Sequence, residues 1–145
     1  MSLTNSGANG VKSKPLLFLD TNIFIYFFQD HPDFGQTAQD IFARLTTTQV
    51  TAVTSTLTVT ELLSIKMTEE EVDTLYRRLL ETPNLKIIGM DMAIAVTAAR
   101  LRRRYGFRVP DSLQLASALE VKADQFVTGD RRLRQCRELE VRSVE

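Results

Sequence analysis

The fold is decided by the stretch Leu16–Phe28, which reads LLFLDTNIFIYFF and delivers one carboxylate, Asp20, within an apolar run. Continuous apolar runs are typical of parallel strands that helices cover on both faces. We therefore predict a buried strand that ends in an acid. Ligands of open α/β sheets bind beyond the carboxyl ends of the strands, so Asp20 lies where an active site is expected. Because a lone buried carboxylate is unfavourable, Asp20 needs a hydrogen-bond partner, a charged partner or a bound cation.

The rest of the chain alternates between segments typical of helices and segments typical of strands. Local signals mark several helix starts, since Thr68 and Glu71 form a capping-box pattern, Asp91 suits a cap and Pro110 suits a first turn. The predicted elements after the first strand are helix 33–46, strand 51–55, helix 56–65, a helix from 68 to 82, strand 85–88, helix 91–105, a helix from 110, strand 125–128, a short arginine-rich helix and an edge strand over 139–144. This alternation predicts an α/β fold, a three-layer α/β/α sandwich around a mainly parallel sheet of about five strands.

Length and composition predict one domain. A chain of 145 residues can bury a core without disulfides, and we assign residues 15–145 to the domain and residues 1–14 to a flexible polar tail. The single cysteine, Cys136, closes no intrachain disulfide, which fits a reducing compartment. No apolar run has the length of a membrane span, and the polar tail lacks the apolar core of a signal peptide. We therefore expect a cytoplasmic protein with no membrane partner.

The charges are unevenly distributed along the chain, although the formal net charge is zero. Residues 1–72 contain 4 Lys and Arg against 8 Asp and Glu, whereas residues 73–145 contain 14 against 10. Most positive residues of the second half are arginines, which suit bidentate contacts to phosphate groups. This pattern is compatible with a polyanionic substrate. The alternative interpretation is a solvated helix face with surface salt bridges.

Four acids occupy positions where chemistry is expected. Asp20 and Asp130 each follow a predicted strand, Glu61 interrupts an apolar helix, and Asp111 lies at the start of a helix. Taken singly, the last three also suit a rim position, a helix dipole or a turn. Taken together, they can converge on one edge of the sheet, where their charges would repel each other. Carboxylate oxygens are the ligands that Mg²⁺ and Mn²⁺ prefer, so we predict a divalent cation among them.

Each of these acids lies in a characteristic local sequence. The four segments are Phe18–Asn22 (FLDTN), Thr56–Leu63 (TLTVTELL), Pro110–Ala118 (PDSLQLASA) and Phe126–Leu133 (FVTGDRRL). In order and spacing they resemble the motifs of PIN-domain ribonucleases, a family that includes the VapC-type toxins of bacterial and archaeal toxin–antitoxin pairs. The resemblance covers about residues 16–144. Gly129 stands where that family often has an asparagine or arginine, and we expect little consequence.

The resemblance implies a metal-dependent ribonuclease that hydrolyses RNA phosphodiester bonds. Asp20, Glu61, Asp111 and Asp130 would be the catalytic acids and the ligands of one or two Mg²⁺ or Mn²⁺ ions. Thr21, Asn22 and Thr128 would orient the carboxylates or waters, although the same residues also suit turns and caps. An antitoxin protein and a second copy of the chain are the implied partners. The alternative is a PIN-like module that binds RNA or protein without catalysis.

Arginines must attract an RNA backbone that the four carboxylates would repel. We predict that this role falls to residues after Tyr76, namely Arg102, Arg103, Arg104, Arg108, Arg131 and Arg132. Arg131 and Arg132 directly follow Asp130 and cannot lie far from it. Two other α/β classes fit less well. A haloacid-dehalogenase-type phosphatase needs an acid where Asn22 stands, and a phosphoacceptor receiver domain needs a lysine near the last strands, where only Lys122 occurs.

Overall fold

The computed structural model describes residues 14–145, so the tail predicted for residues 1–14 lies outside the described residues except for Lys14. This part of the chain contains a five-stranded sheet in the order β3-β2-β1-β4-β5. All neighbouring strands pair in parallel, and Phe18 of the central strand lies between Val53 and Phe126. The strands are β1 (Leu16–Leu19), β2 (Thr51–Ser55), β3 (Leu85–Ile88), β4 (Gln125–Thr128) and β5 (Val141–Ser143).

Helices cover both faces of the sheet and complete the predicted three layers. Side chains alternate between the two faces of a strand, so Leu17 and Leu19 pack into one apolar cluster and Phe18 packs into the other. The first cluster draws on helices α1 to α4 and the second on α5 and α6. The helices are α1 (Thr21–Phe28), α2 (Gly35–Thr46), α3 (Thr56–Leu63), α4 (Glu69–Leu80), α5 (Met92–Tyr105) and α6 (Val109–Glu120), with a 3₁₀ helix at Arg131–Gln135.

The stretch Leu16–Phe28 differs from its prediction in one respect. Only Leu16–Leu19 is a strand, and the apolar residues after Asp20 form helix α1, which the sequence interpretation missed. Asp20 is the N-cap of this helix, and its side chain accepts a hydrogen bond from the Thr21 amide. A continuous apolar run has no periodicity that separates a strand from a buried helix. The acid therefore links a buried strand to a buried helix, and this link fixes its place at the sheet edge.

Several local predictions are confirmed. The Thr68–Glu71 capping box forms at the start of α4, Asp91 caps α5, and Pro110 lies in the first turn of α6. The imidazole of His31 accepts hydrogen bonds from the amides of Asp33 and Phe34, which gives this residue a structural role in a turn. Every helix within residues 14–145 is too short or too polar to span a bilayer.

Candidate active site

Asp20 lies at the carboxyl end of the central strand, and only 6% of the residue is exposed. Both carboxylate oxygens accept hydrogen bonds. The Thr21 amide donates to Oδ1 at 2.9 Å, and the Thr128 hydroxyl donates to Oδ2 at 2.8 Å. The buried carboxylate thus has the polar partners that its position in the sequence requires. Those partners come from its own helix and from the neighbouring strand β4.

Burial raises the pKa of Asp20 to about 6. The hydrogen bonds from Thr128 and Thr21 favour the charged form and oppose this rise, while the negative charges of Asp111 and Glu61 add to it. Asp20 is therefore within electrostatic reach of two of the other three acids. Strongly shifted carboxyl groups that have charged neighbours are typical of functional sites.

Glu61 is connected to Asp20 through one residue, Thr21. The Thr21 hydroxyl donates a hydrogen bond to Glu61 Oε1 at 2.5 Å, while the amide of the same residue holds Asp20. Glu61 lies on α3 and is partly exposed, whereas Thr21 is buried. A single threonine thus fixes two acids that come from different elements.

Asn22 and Thr128 hold the loop that carries Asp130. The side-chain oxygen of Asn22 accepts a hydrogen bond from the Gly129 amide at 2.8 Å. The Thr128 hydroxyl oxygen accepts one from the Asp130 amide at 3.0 Å, in addition to donating to Asp20. The three residues predicted to orient the acids therefore all contact an acid or the loop that carries one.

Asp111 and Asp130 are each paired with an arginine. Arg108 Nε lies 3.1 Å from Asp111 Oδ2, and Arg132 holds Asp130 through both Nε and Nη2. The hydrogen bond from Arg132 is the main cause that lowers the pKa of Asp130. The hydrogen bond to Asp111 likewise raises the pKa of Arg108. Each of these two acids is thus neutralised by an arginine, and each arginine also lies within electrostatic range of the other acid.

The four predicted ligands are suited to a hard cation by their chemistry, since all offer carboxylate oxygens. Within residues 14–145, however, no three carboxylate, histidine or cysteine side chains converge closely enough to form a preformed metal cluster. Glu61 is turned to Thr21, and the two outer acids are turned to arginines. The oxygen donors therefore fit Mg²⁺ or Mn²⁺, and their convergence on one ion stays a prediction.

The predicted arginines fall into two groups. Arg108 and Arg132 lie at the acids, and Arg131 is an exposed residue between Asp130 and Arg132. Two of the arginines at the end of α5 are engaged elsewhere, since Arg102 Nε donates to the Phe107 carbonyl at 3.0 Å and Arg104 pairs with Glu138. Arg103 is exposed. The structure therefore brings Arg108 and Arg132 to the site, whereas Arg102 and Arg104 are held by the segments that follow α5 and the 3₁₀ helix.

Sequence interpretation missed a layer of buried polar residues beneath the acids. Its members are Thr54, Ser55, Thr58 and Gln114, each of which is no more than 1% exposed. Gln114 lies on α6 among Leu115, Ala116 and Ala118, all of them buried. A glutamine on such an apolar face needs hydrogen-bond partners, and that was the signal available in the sequence.

Gly129 lies against the side chain of Tyr26. A Cβ atom at this position would collide with the hydroxyl oxygen of Tyr26 and would lie within 3 Å of two of its ring carbons. The Tyr26 ring packs against His31 and Phe34, with ring centroids 5.0 and 5.2 Å away. Tyr26 therefore occupies the space that a side chain at position 129 would take, and the small effect expected of Gly129 stays a prediction.

Comparison with known proteins agrees with this fold. Solved structures that resemble the chain include VapBC2 from Rickettsia felis bound to a DNA fragment from their promoter, with a TM-score of 0.69, 20% identity and coverage of 88% of this chain and 98% of that one. A toxin–antitoxin complex from Klebsiella pneumoniae has a TM-score of 0.67 and 20% identity, with coverage of 88% of this chain and 96% of that one. FitAcB from Neisseria gonorrhoeae has a TM-score of 0.65 and 19% identity, with coverage of 86% of this chain and 95% of that one. A search of curated proteins by sequence finds no significant match. The model of the PIN domain family matches residues 17–139, almost the whole described chain, and the protein therefore belongs to that family.

Proposed function

We propose that this protein is a metal-dependent endoribonuclease that hydrolyses RNA phosphodiester bonds. The observation that carries the proposal is the buried carboxylate of Asp20, whose pKa is raised to about 6, with Glu61 and Asp111 in electrostatic range at the edge of the sheet. Membership of the PIN domain family supports a nuclease. The arginines that surround the acids support a polyanionic substrate.

In this mechanism Asp20, Glu61, Asp111 and Asp130 would hold one or two Mg²⁺ or Mn²⁺ ions. A bound ion would activate water for in-line attack and stabilise the charge that develops on the phosphate and the leaving oxygen. Thr128 and the Thr21 amide fix both oxygens of Asp20, while the Thr21 hydroxyl fixes Glu61. Asn22 keeps the loop of Asp130 against α1. The protein groups thus orient the acids before RNA arrives.

Metal removal tests this function. We expect the purified protein to cleave labelled RNA in Mg²⁺ or Mn²⁺, to lose cleavage in excess chelator and to regain it when Mn²⁺ is restored, because uncompensated carboxylates repel the phosphate. An Asp20→Asn preparation, purified in parallel, controls for contaminating ribonuclease. Cleavage that persists in chelator would contradict the metal mechanism. RNA binding without any cleavage would favour the non-catalytic module.

We also propose that the protein acts as the toxin of a toxin–antitoxin pair. The structural neighbours described above include toxin–antitoxin complexes, which support an antitoxin as the partner. The described chain has a groove of about 680 Å³ between α1, α3 and α4, where apolar side chains such as Ile25 and Phe28 alternate with charged ones such as Glu70 and Arg78. A mixed apolar and charged surface of this kind suits a partner protein. A gene for a small protein beside this one, and tight co-purification of the two products, would support the assignment.

A second copy of the chain is the other proposed partner. Met92 and Val96 are 78% and 61% exposed, and residues four apart lie on the same side of a helix. Burying this pair in a symmetric interface would stabilise a homodimer. Light scattering at high micromolar concentration is expected to give twice the chain mass, and Val96→Glu is expected to lower that mass. A wild-type monomer at these concentrations would contradict the proposal.

A further inference from the structure

Gln114 connects more of the site than any other buried side chain described above. Its Nε2 donates to Thr58 Oγ1 at 2.8 Å and to Thr21 Oγ1 at 3.3 Å, and lies 3.5 Å from Asp20 Oδ1. Its Oε1 accepts from the Ser55 hydroxyl at 2.5 Å. The residue comes from α6, whereas its partners come from β2, α3 and the β1–α1 junction. One amide thus joins the elements that carry Asp20, Glu61 and Asp111.

The amide of Gln114 has one favourable orientation. Turned by 180°, it would place its oxygen towards the Asp20 carboxylate and its NH₂ group towards Ser55. In the observed orientation the donors point along one route, from Gln114 to Thr21 and from Thr21 to Glu61. Because Thr21 accepts from Gln114, its own proton remains available for Glu61. Gln114 therefore donates to Thr21, and Thr21 in turn donates to Glu61, so that each donor on this route meets an acceptor.

We propose that Gln114 is a positioning residue, whose buried carboxamide fixes Thr21 and through it the carboxylates of Asp20 and Glu61. This inference rests on the proposed nuclease function for its consequence in catalysis. Gln114 is 1% exposed, so its side chain is out of reach of a bound RNA. Its effect on the reaction must therefore pass through the acids and not through substrate binding.

The test compares Gln114→Met with Ser117→Ala. Methionine keeps the length and unbranched shape of glutamine but removes both N–H donors. Ser117 is buried on the same helix and donates only to the Leu113 carbonyl, so its variant controls for the removal of one buried hydrogen bond. Loss of a residue that orients metal ligands typically costs about 10–100-fold in metal affinity or activity. We expect loss in that range for Mn²⁺ affinity by calorimetry and for kcat in Gln114→Met, with KM for RNA unchanged, and no change in Ser117→Ala.

Further measurements separate this inference from the proposed function. Wild-type Mn²⁺ affinity and kcat in a folded Gln114→Met protein would overturn the inference. If Gln114→Met fails to fold, Ser55→Ala removes the donor that holds the Gln114 amide, and unchanged Mn²⁺ affinity in that variant would overturn it. If the wild-type protein neither binds Mn²⁺ nor cleaves RNA, the proposed nuclease function is contradicted. In that case hydrogen exchange of the Thr21 amide tests the positioning role of Gln114 without metal or RNA. The exchange is expected to accelerate in Gln114→Met and Ser55→Ala but not in Ser117→Ala.

Discussion

Asp20→Asn is expected to lower the rate of RNA cleavage by at least about a thousandfold. The substitution keeps the shape of the side chain but removes the buried negative charge that the proposed metal ions would bind. Metal ions stabilise phosphoryl-transfer transition states by several kcal/mol, and about 4 kcal/mol corresponds to a thousandfold. Single-turnover cleavage of labelled RNA measures the effect. Asp40→Asn on the exposed face of α2 is the matched control and is expected to retain full activity.

The same substitution is expected to stabilise the metal-free protein above pH 7. The folded pKa of Asp20, about 6, lies above its ordinary value of 3.8, so the folded state holds its proton more tightly than the unfolded chain. The stability that this group contributes is present below pH 4 and is lost as the pH rises to about 6. Two pKa units correspond to about 3 kcal/mol. Less favourable hydrogen bonds of asparagine to Thr128 reduce the gain, and we expect about 1–2 kcal/mol.

Denaturant unfolding in chelator at pH 5 and pH 8 measures whether Asp20→Asn raises or lowers the free energy of unfolding. The stability difference between variant and wild type is expected to favour the variant at pH 8 and to shrink at pH 5. A variant that is less stable than the wild type at both values would mean that the hydrogen bonds of Asp20 outweigh its burial. Asp40→Asn is expected to show no such pH dependence, because its side chain is exposed.

Replacing both Arg131 and Arg132 with alanine is expected to weaken RNA binding by at least about tenfold at low salt. Two charge-assisted hydrogen bonds to phosphate are worth more than the 1.4 kcal/mol that a tenfold change requires. The weakening is expected for all RNA sequences, because phosphate groups carry no sequence information. The plot of log affinity against log salt should flatten by about 0.7 for each phosphate of a single strand that the variant no longer neutralises. Binding is measured in the Asp20→Asn background so that the RNA stays intact.

A charge-matched control uses two arginines that line a different depression of the surface. Arg44 and Arg142 line a depression with Pro15 and Leu17, at the start of the central strand. Their double alanine variant removes the same charge, and its salt slope is expected to stay as in the wild type. Equal effects in the two variants would indicate attraction by overall charge. An unchanged slope in the Arg131/Arg132 variant would assign this surface to solvent or to a protein partner.

The sequence predicted the sheet better than it predicted the first helix. Strands Thr51–Ser55, Leu85–Ile88 and Gln125–Thr128 have the predicted bounds, because short β-branched or aromatic runs between helix signals leave few alternatives. The helix after Asp20 was missed because apolar residues occur on every side of it, so that strand and helix form one nearly continuous apolar run. Only the cap that Asp20 makes on Thr21 separates the two elements, and a hydrogen bond of this kind is not visible as periodicity.

The positions of the candidate acids in the fold were predictable in part, but their side-chain contacts were not. Acids that follow neighbouring parallel strands must reach the same edge, so Asp20 and Asp130 could be placed from the order of elements. The pairing of Asp130 with Arg132 depends on side-chain rotamers, which sequence spacing does not determine. Gln114 was missed because its partner Ser55 lies on another element, and only the folded chain brings the two together. The same reason explains the engagement of Arg104 with Glu138.

The contact between Gly129 and Tyr26 predicts that these two positions vary together during evolution. A substitution that adds a side chain at 129 meets the phenol ring, which packs against His31 and Phe34. We expect a lineage that acquires the asparagine or arginine found elsewhere in the family to move or shorten the side chain at position 26. Covariation between positions 26 and 129 would then show that their side chains share the space beside the loop of Asp130.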